Sequence, residues 1–550
     1  MCGITGVISK NKAKKYLKYI EKSLSAIKHR GYDHSSYYCD DNICFGYNRL
    51  AIRGLNSTYN QPILVENSIS FANGEVYYVN NKKVSDNKND LDSLVKNIIL
   101  NKEEIYNYID ADFALCIYDK QKEKIIIARD YFGIKPLFYI WLDDDTLAFS
   151  SEIIGLKELI DNTLNFNINS ISDYLIFGYP TNNKTFYEKI YAFPPRTMLE
   201  WDLKSNKKEY YSKKDNIKYT NKHSNIYKNL QKAVVARLVS DRNIGAHLSG
   251  GYDSSSIAYI AKDKLSYITA YNSLNDNDLL ISKLITDDIR ATHMTIKISE
   301  YFEYEKLIKI LSSPIMSPGA FVPYEISKHS SEYGKKVLLA GQGPDELFLG
   351  YDRFINIKNC NDSKEFISII CNSDLDMLKK LFNGFDFREK YLSLFDKKNF
   401  LAEGQEFYLN NFLTELLHIE DATHMNFNIE NRVPYLSLPI RKFIQKNGIY
   451  ILDDIKKDAI YNMNLQLNSK ALIRKNKENM NRDLFYELKK FNYDEIFSMK
   501  IFDNFDYKLF GNYISNLDLL NKKELFAIWT IYNLNMWYKI NGFQKKIRMC

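Results

Sequence analysis

The feature that most constrains the fold is a change in the spacing of apolar residues near position 200. Before it the chain reads as many short strands: ISFANGEVYYV (69–79), DFALCIYD (112–119), KIIIARD (124–130), PLFYIWL (136–142) and TLAFSS (146–151), with turn signals such as Asn73-Gly74 and Asp143-Asp144-Asp145. Two helical patterns interrupt them, at 15–29 and 91–100. From about residue 225 strand and helix alternate. A helical pattern at 226–239 leads to a short buried strand at 243–248, a helix at 254–265, a strand at 267–274, a helix at 278–290 and a strand near 294–298. That alternation predicts an α/β layer on a parallel sheet. Beyond about residue 355 the pattern is mostly helical. The lysine-rich stretch between 202 and 223 has no apolar periodicity and reads as a linker. The expected division is 1–205, a linker at 206–224, and 225–550.

Composition closes off several classes of function. Of the 550 residues 45% are hydrophobic and 26% charged, which excludes global disorder. The 75 Lys and Arg against 68 Asp and Glu leave a net charge of +7, too little for a dedicated nucleic-acid binder of this length. No run approaches the ~18 uncharged apolar residues of a membrane helix, and the apolar run before the first lysines is too short for a secretory signal. The seven cysteines are scattered, with no CxxC pair, so the expectation is a cytoplasmic protein with reduced thiols and no structural zinc.

The first candidate site opens the chain. Removal of Met1 would leave Cys2 with a free α-amine, whose reference pKa of roughly 7.7–8 lets it accept the thiol proton at neutral pH. NGE at 73–75 lies inside a strand-like run, where the Asn73 side-chain amide and the Gly74 N–H could form an oxyanion hole. Arg49 can grip a carboxylate and Asp90 an ammonium. Together these groups suit attack on the side-chain carbonyl of an α-amino acid, and glutamine fits.

The runs MCGITGV, HRGYDHSS (29–36), NRLAI (48–52), NGE (73–75), ARDYFGIKPLFY (128–139) and SSE (150–152) together resemble the class II glutamine amidotransferases, N-terminal-nucleophile (Ntn) hydrolases with an αββα sandwich. The resemblance covers most of residues 1–200. It implies Cys2 as nucleophile, Asn73 and Gly74 as oxyanion hole, and Arg49, Ile52, Glu75 and Asp90 as glutamine contacts. Tyr32 stands where the family usually has Pro.

The second candidate site is LSGGYDSSS (248–256), after a strand and at the start of a helix. Its glycines let backbone N–H groups converge on an anion, and the helix N-terminus adds positive potential. Ser249, Ser254 and Ser255 offer hydroxyls, and Asp253 could hold Mg²⁺ beside phosphates. No GKS or GKT follows, so this is not the P-loop of kinases and GTPases. A second glycine-rich loop, LAGQGPDELFLGY (339–351), adds Asp345, which could share the ion.

SGGxDS after a strand resembles the pyrophosphate loop of ATP pyrophosphatases. With the second loop it resembles the synthetase domain of the asparagine synthetase family, an adenine nucleotide α-hydrolase-like fold shared with β-lactam synthetases and lasso-peptide cyclases. The resemblance implies ATP contacts from His247, Ser249, Gly250, Gly251, Asp253, Ser254, Tyr271, Ala340 and Gly341, and Mg²⁺ on Asp253 and Asp345. NIENRVPYLSLP (428–439) resembles the family's ExRxPFLD segment, keeping Glu430 and Arg432. KNKENM (475–480) resembles its lysine-bearing segment and makes Lys477 the cation that stabilises developing charge at an acyl-adenylate. Several members have Glu where this chain has Gln342, and a neutral amide cannot act as a carboxylate base.

The resemblance implies glutamine-dependent amidation of a carboxylate, with ammonia crossing a mostly apolar passage between the two domains. Aspartate is the default acceptor. The alternatives are a uronic acid of a surface glycan, a peptide side chain, or a ring closure like that of a lasso cyclase or β-lactam synthetase. The expected partners are small molecules, with no nucleic acid or membrane, and a homodimer stays open. A regulatory, non-catalytic relative would have lost the nucleophile or the acidic loop residues, and neither is lost here.

Overall fold

The computed structural model describes residues 2–80, 82–84, 90–160, 164–213, 218–220, 225–274, 276–392, 395, 399–450 and 484–549. The first part is built from β1 (Cys2–Ser9), β2 (His34–Cys39), β3 (Ile43–Arg49), β4 (Ile63–Val65), β5 (Ser68–Val79), β6 (Lys82–Lys83), β7 (Ile109–Asp119), β8 (Lys124–Arg129), β9 (Phe138–Asp143), β10 (Thr146–Ser150), β11 (Tyr191–Ala192), β12 (Thr197–Asp202) and β13 (Lys207–Ser212). They form two antiparallel sheets, ordered β11-β9-β10-β1-β3-β2 and β13-β12-β8-β7-β5-β4, with β6 beside β5. Apolar residues of both sheets interleave between them. Ile4, Phe45 and Phe149 of the first meet Phe71, Ile127 and Trp201 of the second. Helices α1 (Leu17–Ala26) and α3 (Ile153–Lys157) pack on the first sheet, and α2 (Asp90–Asn101) packs on the second. The result is the αββα sandwich expected from the sequence.

Two local features depart from that expectation. The stretch read as a linker carries β13, whose polar KKEYYS pairs with β12 as the outermost strand. Charge on an edge strand discourages pairing with another chain, so this strand has no apolar signature to find. Further along the same stretch, β14 (Tyr219–Thr220) pairs in parallel with β20 (Ile449–Tyr450). The cysteines also differ: Cys39 and Cys44, register partners at the end of the β2–β3 hairpin, are joined as a disulfide.

The second part holds a parallel sheet of β15 (Ile244–His247), β16 (Ser266–Tyr271), β17 (Thr292–Lys297), β18 (Val337–Leu339) and β19 (Glu430–Arg432). Its order is β17-β16-β15-β18-β19. The chain therefore runs outward from β15 on one side, then returns to β18 on the other. The gap between the carboxyl ends of β15 and β18 is the switch point where open α/β sheets bind ligands. Both glycine-rich loops leave the sheet there.

Helices make up most of the rest. The last long one, Lys522–Ile540, starts with a capping box between Asn521 and Glu524. Its residues Ala527, Ile528, Trp529, Ile531, Leu534 and Trp537 are buried, so the terminal apolar run is core. It packs on α4 (Ile168–Phe177) from the first part, whose last eight residues are all buried. One apolar cluster thus runs from Val7 and Leu24 through Phe177 to Trp537. Among the described residues no helix is long and apolar enough to cross a membrane.

Ionic contacts join the two parts as well. Arg30 is fully buried. Its guanidinium donates to the Cys2 carbonyl at 3.1 Å, to Glu152 at 2.6 Å and to Asp421 at 2.7 Å. Asp421 lies on the helix Leu413–Asn426 of the second part. Burial works against the charge on Arg30, and the two carboxylates more than offset it. Arg237, also fully buried, lies 3.2 Å from Asp110 and 3.4 Å from Asp112.

Replacing Arg30 with Met leaves two carboxylates buried without their cation. It should cost about 3–5 kcal/mol in chemical denaturation. Burial opposes ionisation of Glu152, but His29 and Arg30 hold its carboxyl down at about 2, against an ordinary value of 4.5. Its contribution is therefore complete above pH 4.5 and is lost as pH falls from there towards 2. Glu152→Gln should flatten that part of a stability-versus-pH curve.

Candidate active sites

The start of β1 lies beside β3 with Cys2 opposite Arg49 and Ile4 opposite Tyr47. Cross-strand partners share a face, so Tyr47 and Cys2 are diagonal neighbours. The Tyr47 hydroxyl lies 3.0 Å from Cys2 Sγ. Burial, followed by the neighbouring thiol, pushes the Tyr47 phenol well up, so it keeps its proton and can donate to a thiolate. The sequence reading missed this residue, although the alternation Tyr47, Arg49 along β3 carries its signal.

The Cys2 backbone nitrogen donates to Asn73 Oδ1 at 2.9 Å. That bond fixes the amide of Asn73, whose Nδ2 is buried with no partner. A buried donor without an acceptor is costly, and such groups in native structures call for an explanation. An oxyanion at the thiol would supply the acceptor. The neighbouring Gly74 is in close quarters: a Cβ there would come within 2.6 Å of the Asp112 carbonyl and 2.8 Å of Phe113 Cβ.

The glutamine contacts implied by the family resemblance divide into two groups. Arg49 donates to the Asn56 carbonyl at 3.0 Å, to Asn60 Oδ1 at 2.9 Å, to the Arg53 carbonyl at 3.2 Å and to the Gly54 carbonyl, and so ties down the loop after β3. Ile52 is buried, and its carbonyl accepts from Asp241 N of the second part at 2.9 Å. Glu75 and Asp90 gather around Arg53, at 2.7 and 3.8 Å. Burial, then the charge of Asp90, pushes the Glu75 carboxyl up to about 8. Burial raises Asp90 too, against the pull of Arg53 and the Val76 N–H. Beside the site a cleft of about 460 Å³ runs between the two parts, lined by Tyr32, Asp33, Leu50, Arg242, Lys336 and Asn428. The carbonyl of Leu50 is 4.0 Å from Cys2 Sγ.

In the second site β15 ends at His247, and Leu248, Ser249, Gly250 and Gly251 lead into α5 (Tyr252–Ala261), with Gly251 as its N-cap. Gly250 has φ +70°, a conformation that side chains rarely adopt. The Ser249 and Ser254 hydroxyls lie 3.2 Å apart, and Ser254 Oγ also accepts from Ser249 N. The second loop touches the first: a Cβ on Gly341 would fall 3.1 Å from Ser254 N and 3.3 Å from Asp253 Cβ. Ala340 N donates to the Arg432 carbonyl, and Tyr435 OH to the Asp253 carbonyl. Asp253 stands in the first turn of α5 and Asp345 in the helical turn Pro344–Leu347. Two carboxylates on adjoining loops are a hard-oxygen donor set suited to Mg²⁺. Tyr271 closes β16. Lys477 lies outside the described residues.

His247 and Gln342 reach toward the junction of the two parts. His247 stacks on His424, with ring centroids 5.3 Å apart, and burial lowers it to about 3. Gln342 Nε2 donates to Glu420 at 2.8 Å, and Glu420 precedes Asp421, the partner of Arg30. A bonded route therefore joins the two sites: the Cys2 carbonyl, Arg30, Asp421, Glu420, Gln342, and the loop that touches Asp253. Its side chains are ionic and amide groups. Glu430 and Arg432, bonded at 2.6 Å, extend the ionic junction, with Arg432 3.7 Å from Glu75.

On this arrangement Asn73→Ala should lower glutamine hydrolysis by about 10²–10³-fold in kcat. Tyr47→Phe should lower it less and shift its pH profile upward. Both are readable as glutamate release.

Family models match both parts of the chain. Residues 1–212 match the glutamine amidotransferase domain and residues 225–537 the asparagine synthase domain. A Methanocaldococcus jannaschii protein, provisionally named as a glutamine-hydrolysing asparagine synthetase, is 32% identical over 394 residues, covering 64% of this chain and 70% of that one. Asparagine synthetase [glutamine-hydrolyzing] 2 of Bacillus subtilis is 26% identical over 537 residues, 87% of this chain and 70% of its own. Among solved structures, the glutamine phosphoribosylpyrophosphate amidotransferase of B. subtilis aligns at 12% identity and TM-score 0.26, over 62% of this chain and 82% of that one. The chain belongs to the asparagine synthase family and is an ATP-dependent, glutamine-hydrolysing ligase.

Proposed function

We propose that the protein makes asparagine. Glutamine is hydrolysed at Cys2, ATP activates the side-chain carboxylate of aspartate at the SGGYDS loop, and ammonia displaces AMP. The observation that carries this reading is the short bonded route from the Cys2 carbonyl through Arg30 and Asp421 to the second loop, which supports operation of the two centres as one unit.

With Met1 removed, the Cys2 amine takes the thiol proton and the sulfur attacks the glutamine carbonyl. Asn73 Nδ2 and the Gly74 N–H hold the oxyanion, and Tyr47 supports the thiolate. A thioester forms, ammonia leaves and water releases glutamate. At the second site Ser249, Gly250, Gly251 and Ser254 cradle the phosphates, with Tyr271, Ala340 and Gly341 completing the nucleotide site. Mg²⁺ on Asp253 and Asp345, when bound, would neutralise phosphate charge. Aspartate gains an acyl-adenylate and pyrophosphate departs. Ammonia then forms the amide and releases AMP.

A different acceptor carboxylate is the second reading, favoured by one observation: Gln342 brings a neutral amide to the second loop and spends it on Glu420. The protein is expected to form AMP, glutamate and asparagine from ATP, glutamine and aspartate. Cys2→Ala should lose the glutamine-driven reaction and keep the ammonia-driven one. AMP formation with another acid and none with aspartate would move the acceptor to that acid.

A further inference from the structure

At the junction of the two parts, three side chains from two segments bring potential ligand atoms together. His247 ends β15, and Glu420 and His424 lie one turn apart on the helix Leu413–Asn426. One ligand atom from each lies within 4.8 Å of the others.

The hydrogen bonds around them leave the right atoms available. His424 Nδ1 is 2.6 Å from the Glu420 carbonyl, which can only accept, so Nδ1 carries the proton and Nε2 the lone pair. His424 is fully buried, and its Nε2 has no partner. His247 Nε2 is likewise buried without a partner. Glu420, 6% exposed, accepts from Gln342 Nε2 at 2.8 Å on one oxygen and from Asn431 Nδ2 at 2.9 Å on the other. Each oxygen keeps a further lone pair, and the amides fix the carboxylate plane as outer-shell partners do around metals. Among the described residues no Lys or Arg forms a salt bridge with Glu420. Its neighbours are the two amides and, at 4.0 Å, the Nδ1–H of His424, none of them a fixed cation, which leaves a place for one.

We propose that His247, Glu420 and His424 bind a divalent transition-metal ion of the zinc class, at a site separate from the carboxylate pair Asp253 and Asp345. Two imidazoles and one carboxylate suit zinc and leave a fourth position for water. Ligands of a tetrahedral zinc ion sit ~3.4 Å apart, so atoms up to 4.8 Å apart close by up to about 1.4 Å on binding. A bound ion would tie β15, which leads into the phosphate loop, to the helix that holds Arg30 through Asp421. The proposal stands whichever carboxylate the enzyme amidates.

The test uses the untagged full-length protein in millimolar Mg²⁺, which saturates the aspartate pair. Titration with Co²⁺, read by visible absorption, and with Zn²⁺, read by elemental analysis after gel filtration, should give one tight equivalent. His247→Leu with His424→Ser should weaken binding at least 100-fold, and Glu420→Gln about tenfold. Less than stoichiometric binding, or unchanged affinity in the double variant, would overturn the site. If the double variant does not fold, X-ray absorption of the wild-type zinc complex decides. Two imidazoles in the first shell support the assignment, and sulfur ligation or fewer than two imidazoles refutes it.

Discussion

The arrangement of the whole molecule depends on one buried cation. Arg30 is fully buried, so its position is set by the carboxylates that neutralise it. One of them, Glu152, belongs to its own half, and the other, Asp421, comes from 391 residues further along the chain. The same guanidinium holds the carbonyl of Cys2. Cys2 is therefore placed in part by a helix of the second part. The loop bearing Gln342 is bonded to the neighbouring carboxylate on that helix.

The motifs around Cys2 serve packing, which explains their length. Glu152 of SSE and Arg30 of HRG meet each other. In ARDYFGIKP the carboxylate of Asp130 accepts the N–H groups of Phe113, Phe132, Ile134 and Lys135, so the loop is wound around one side chain. Arg129 gathers the carbonyls of Gly133, Lys135 and Phe193. These residues build the wall of the sandwich that faces the second half, and the chemistry rests on their geometry.

What the sequence revealed, and what it hid, follows from range. Cys2, Asn73-Gly74 and the two glycine loops are local patterns with a local reason, and they could be read directly. The strands from 69 to 151 announced themselves by apolar alternation. The charged edge strand Lys207–Ser212 did not, because an exposed edge has no apolar face to display. The Arg30–Asp421 pair could not be read, since nothing in either segment names its partner. Glu420 and His424 were in principle visible as an i, i+4 pair on a helix, but His247 joins them only through the tertiary fold. Tyr47 was within reach of the alternation along β3 and went unread because no motif pointed to it.

The helix Ile168–Phe177 leaves the sandwich and is enclosed by the carboxyl-terminal helices, with Tyr174 OH on the Ile315 carbonyl and Asn372 on the Phe177 carbonyl. An apolar cluster without a seam has a thermodynamic meaning for a fused enzyme. Severing the halves would open this cluster on both sides, while the core between the two sheets of the first part would stay within it, so the amide-donor and amide-forming machinery share one part of their interior and lose that part together.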